Sequence, residues 1–193
     1  MLRTFSGGGN RHIPPAMGGK MDRTEPMIPL NNSAEERLEH PVDTIERLAA
    51  LHDWAFERDG ADEISISVKG SWADYHVAFT WLEDMEALHL ACAFDLKVPE
   101  RRKTELLKLI AAINEQLWVG HFDLWSKENV VMFRHALVLS GGLEPNARQC
   151  ESLLNIATEA CERHYQGFQF VVWAGKKAEE ALAAIMFETI GEA

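Results

Sequence analysis

The stretch Trp118–Leu139, WVGHFDLWSKENVVMFRHALVL, decides the fold. It holds His121, Asp123, Glu128 and His135, a set that suits a metal site, a catalytic pair or a β-hairpin with polar residues turned outward. Taking Ser126–Asn129 as the loop pairs Trp125 with Val130, Leu124 with Val131, Phe122 with Phe133 and His121 with Arg134. Phe122, Leu124, Val131, Phe133, Leu137 and Leu139 then share one apolar face, which is an internal check on the register. His121, Asp123 and Arg134 project from the other face as a polar surface cluster. His135 falls on the apolar side, opposite Gly120, and is expected to bond to backbone or to Asn114. Two histidines on opposite faces cannot ligate one ion, so no metal is expected. An Asp123–His121 base would find no nucleophile beside it on either strand.

Outward from the hairpin, the hydrophobic period assigns the other elements. In HPVDTIERLAALHDWAFERDG, Pro41 suits a first helical turn. Ile45, Leu48, Leu51 and Ala55 follow at helical steps, and Gly60 is expected to end the helix. The period then falls to two. Ile64, Ile66 and Val68 alternate with polar residues, as do Tyr75, Val77, Phe79 and Trp81. Leu88, Leu90, Cys92, Phe94 and Leu96 alternate with Ala87, His89, Ala91, Ala93 and Asp95. These are three meander strands with one buried face. A second helix opens at Pro99, with Leu106, Leu109, Ile110, Ile113 and Leu117 on one stripe. A third, long helix follows Pro145 and carries Cys150, Leu153, Leu154, Ala157, Ala160, Cys161, His164 and Phe168 at helical spacing. A short fourth, KKAEEALAAIMFETI, closes the chain. The order αβββαββα plus a terminal helix predicts an α+β domain with a five-stranded antiparallel sheet and helices packed on one face.

Composition bounds the partners. The 193 residues are 47% hydrophobic and suit one globular domain, and no apolar run reaches the length that spans a bilayer. Residues 1–40 are rich in Gly, Pro, Asn and Met without periodicity and read as a disordered leader before a single domain at 41–190. Of the net charge of −11, residues 1–30 contribute +2, so the rest of the chain carries −13. An acidic body is a poor polyanion binder, and no nucleic-acid partner is expected. Lys97, Arg101, Arg102, Lys103 and Lys108 form the one basic group and read as a solvated helix face. Three cysteines are too few and scattered for a disulfide framework, which fits a reducing cytoplasm. Cys150 and Cys161 lie about 16 Å apart along one helix, too far to bridge. No phosphate loop, GxSxG, HExxH or CxxC is present, and no cofactor is expected.

The run from VPERRKTELLKLIAAINEQLWVGHFDLW to VVMFRHALVLSGG resembles the core of the YbjN domain family of bacterial sensory transduction regulators. The resemblance rests on Asn114 ending a helix, Gly120, Phe122 and Leu124 on a strand, and Phe133, Arg134 and His135 on the next. It covers about residues 40–190. It implies a fold similar to class I type III secretion chaperones, which are homodimers that bind extended segments of client proteins. It implies no catalytic residues, and it makes the Asn114, Gly120, Phe122, Phe133 and His135 positions structural.

Ala78, Ala91, Ala93, Met132, Ala136 and Val138 alternate with the core-facing set and share the outer face with Trp125. Of the other tryptophans, Trp54, Trp81 and Trp118 are expected in the core. A small, apolar sheet face on a soluble protein marks an interface, unless the terminal helix folds back over it. The expected function is a non-enzymatic, protein-binding regulator acting as a homodimer with a protein client. The alternative is a small-molecule sensor with a pocket between the sheet and the third helix.

Overall fold

A computed structural model of the chain describes residues 38–191, the last five by backbone alone. The leader expectation therefore lies, up to residue 37, outside the described residues. Residues 38 and 39 bond to the domain: their N–H groups donate to the Glu144 carboxylate at 3.0 and 3.2 Å.

Helix α1 (Pro41–Leu51) begins where Pro41 presets the first turn, and the His40 ring accepts the Val42 N–H. It ends nine residues before the glycine expected to stop it. Asp53 takes the left-handed conformation (φ 56°), and the Trp54 N–H closes the helix on the Ala49 carbonyl. The chain then extends as β1 (Ala55–Asp59), which pairs antiparallel with β2 (Glu63–Lys69). Gly60, at φ 73°, turns this hairpin instead of capping a helix. The sheet consequently has six strands, not the expected five. The others are β3 (Asp74–Leu82), β4 (Ala87–Lys97), β5 (His121–Trp125) and β6 (Val130–Val138), in the order β1-β2-β3-β4-β6-β5.

Arg58 explains why the short edge strand holds. Its guanidinium donates to Asp43 (2.6 Å) and Glu46 on α1 and to the carbonyls of Gly60 and Ala61 in the turn. One side chain joins helix, strand and loop.

The β5–β6 register is the one read from the sequence: His121 faces Arg134, Phe122 faces Phe133 and Trp125 faces Val130. Asn129, at φ 57°, closes the loop. Helices α2 (Lys103–Asn114), α3 (Ala147–Val172) and α4 (Ala178–Gly191) complete the domain. Asn146 caps α3 in a reciprocal pair with Gln149, which satisfies two otherwise orphaned N–H groups.

The apolar stripes of α1, α2 and α3 bury against one side of the sheet in a single core. At its centre, Phe168 of α3 stacks with Phe94 and meets Phe122 edge-on with ring centroids 5.0 Å apart, and Phe122 meets Phe133 at 5.5 Å. Helix α4 packs on α2 and α3, and its Ala178 and Ala181 join the same core. Its described part does not fold back over the outer sheet face. Trp81 is buried as expected, Trp54 half-buried, and Trp118 fully exposed in the α2–β5 connection. Trp118 sits where Gly120 turns the chain, off the strand alternation that would have carried it inward. No helix among the described residues is long and apolar enough to cross a membrane.

Candidate functional site

The candidate surface is the sheet face opposite the helices. Pairing across β2, β3, β4, β6 and β5 lines up Ser67, His76, Ala93, Met132 and Asp123 in one row. The next row is Ser65, Ala78, Ala91, Arg134 and His121, and His89 lies opposite Ala136 beyond it. Ala78, Ala91, Ala93 and Met132 are half-buried by their neighbours, and Ala136 is exposed. Val138 is 63% and Trp125 44% exposed at the margins.

This surface is not apolar throughout: the His121, Asp123 and Arg134 cluster expected on the outer face lies among the alanines. Arg134 occupies its middle, pairing with Asp123 at 3.1 Å and donating from Nε to His89 Nε2 at 3.2 Å. His89 is the member that the sequence reading missed. Its place in the alternation next to Ala91 was visible, but its partner is 45 residues away in the chain. Because His89 Nε2 accepts, that nitrogen is unprotonated and the ring is neutral. Burial first, and then the positive charge of Arg134, holds its pKa below the ordinary value.

His135 pairs with Leu90 on the helix side of the sheet but stays half-exposed, and the space opposite Gly120 belongs to another ring. Among the described residues, no three His, Cys, Asp or Glu side chains converge as metal ligands. No nucleophile stands beside His121 or Asp123 in the register.

Burial is also the main cause lowering the pKa of His135 and of His164, whose Nδ1 bonds to the Ala160 carbonyl at 2.8 Å. All three histidines resist protonation in the folded state, while the unfolded chain takes protons near pH 6.5. Stability is therefore complete above about pH 6.5 and is lost as pH falls toward the lower native values. The melting temperature is expected to fall between about pH 7 and about pH 5, and His164→Leu should flatten that slope. A wild-type melting temperature constant over this window would refute the assignment.

The sequence model of the YbjN family, "Putative bacterial sensory transduction regulator", matches residues 41–170. The chain belongs to this family. The family span covers α1 through nearly all of α3, which is the whole sheet and the helices packed on it. Among solved structures, the chain is similar to "YbjN, a putative transcription regulator from E. coli", at 10% identity and a TM-score of 0.47. That match covers 63% of this chain and 85% of the other. It is also similar to the ExsC–ExsE complex, at 15% identity and a TM-score of 0.40, covering 63% of this chain and 92% of the other. No curated protein matches it.

The residues on which the resemblance rests have physical tasks here. The Asn114 carboxamide binds the Phe122 backbone twice, donating to its carbonyl at 3.0 Å and accepting its N–H at 2.8 Å. It does for β5 what a neighbouring strand would do. The Leu124 N–H is taken by Asp123 Oδ1 at 2.8 Å, so the outer edge of β5 is closed to strand addition at two successive donors. Gly120, at φ 71°, lets the chain pass against the Phe133 ring, where a Cβ would come within 2.1 Å.

Proposed function

We propose that this YbjN-type domain is a non-enzymatic regulatory, chaperone-like protein-binding module of the cytoplasm. It acts as a homodimer, with the outer sheet face as the contact between copies and a protein client as its further partner. The observation that carries the reading is that every described helix lies on the other side of the sheet. Around Arg134, the outer face is left to Ala78, Ala91, Ala93, Met132 and Ala136. Small side chains let a second sheet approach closely, and a self-complementary face suits a two-fold dimer. Arg134 and Asp123, already paired within one copy, can enter such a face without an unpaired charge.

The sensor reading has less support. The groove between the β2–β3 turn and α3, about 490 Å³, is lined by Lys69, Tyr75, Glu159 and Glu162 and opens to solvent. The Glu162 carboxylate there is already taken by the Ser71 N–H and the Tyr75 hydroxyl. An open groove does not enclose a small molecule as a ligand pocket does.

Charge placed at the centre of the face tests the proposal. The wild type is expected to scatter light at twice 21.8 kDa. Ala91→Glu combined with Ala136→Glu should run as a monomer with unchanged circular dichroism, since α4 does not cover these positions. A double variant that remains dimeric with equal stability would remove the open face from the proposal.

A further inference from the structure

Cys92 stands on the inward face of β4, between Val77 and Phe133, and Cys161 stands on the buried stripe of α3. Both are fully buried, and their sulfur atoms lie 3.5 Å apart although the residues are 69 positions apart in the chain. Cys150, also on α3 and also buried, is eleven residues from Cys161 along the same helix and is out of reach of it.

We infer that Cys92 and Cys161 are a built dithiol pair that closes to a disulfide under oxidising conditions and locks the long helix to the centre of the sheet. Disulfide geometry asks the sulfurs to close by only about 1.5 Å. In the step, one thiolate attacks a small-molecule disulfide such as oxidised glutathione and releases one glutathione thiolate. The second cysteine then attacks the mixed disulfide and releases the other. Two S–H bonds are lost and one protein S–S bond forms. Two electrons reduce the glutathione disulfide, and the two protons go to its thiolates.

The resting state is the thiol form. Burial, and then the neighbouring Cys92, raises the Cys161 thiol well above its ordinary value. The oxidant therefore reaches the pair only when α3 lifts from β4 or before it has docked. Once formed, the link constrains the unfolded chain across a loop of about 70 residues, and the oxidised protein should melt about 10 °C higher.

The full chain, unfolded and then refolded in a buffer of oxidised and reduced glutathione, gives all three cysteines an equal start. Peptide mapping without reductant should recover Cys92 joined to Cys161, with a melting temperature about 10 °C above the reduced protein and restored by dithiothreitol. Cys150→Ala should keep the link and the shift, and Cys161→Ala should lose both. Refolded protein that stays reduced, pairs through Cys150, or carries the link without melting higher overturns the inference.

Discussion

Gly120→Ala is expected to destabilise the domain by about 3–4 kcal/mol, a large part of the stability of any domain this size. Two costs combine. Gly120 holds φ at 71°, where an L side chain is strained. A Cβ there would also come within 2.1 Å of the Phe133 ring and 2.9 Å of the Arg134 carbonyl. The ring cannot move aside, because Phe133 is 1% exposed and packs edge-on against Phe122 at 5.5 Å. Gly141→Ala separates the two costs. That glycine has φ 79° but nothing within 4 Å of its Cβ position, so only the backbone cost of about 1 kcal/mol should appear. Urea unfolding of both variants measures the difference. Equal losses at the two sites would mean that Gly120 is conformational and not a packing requirement.

Asn114→Ala should cost about 3 kcal/mol. It removes two hydrogen bonds and leaves the Phe122 N–H and carbonyl unpaired beside a side chain that is 2% exposed. Alanine is the better helix former, so local propensity at the end of α2 would predict a small gain instead. The sign alone tells the two effects apart. Amide exchange at Phe122 should rise in the variant while exchange at the centre of β4 follows only the global loss. An unchanged melting temperature would show that the carboxamide pairing is incidental.

These two residues show how far the sequence could be read. Asn114 and Gly120 stood out through family resemblance, but their tasks were assigned to the wrong neighbour. The expectation put His135 opposite Gly120 and bonded to backbone or to Asn114. In the fold Gly120 makes room for Phe133, and Asn114 serves the Phe122 backbone. Strand alternation says which face a side chain takes and is silent about the loop residue that comes up beneath it.

The β5–β6 register was legible because only one loop length brings all the apolar residues to one side. The strands β2, β3 and β4 were legible for the same reason. The end of α1 was not. Leu48, Leu51 and Ala55 continue the helical period, yet Asp53 turns left-handed and the chain leaves as a sixth strand held by Arg58. The strand forms because β2 has an edge to pair with, a reason that lies outside the local sequence.

The sequence by itself determined the class of the domain, the order of its long elements, the hairpin register and the set of residues sharing the outer face. Each follows from a period written in consecutive residues. Only the tertiary structure decided that α4 packs on α2 and α3 and leaves that face open, since the Ala-rich helix could bury against any apolar surface. It alone placed His89 on Arg134 and brought the Cys92 and Cys161 sulfurs to 3.5 Å. These contacts join residues 45 and 69 positions apart, and their distances are set by how helix and sheet pack and not by any local spacing.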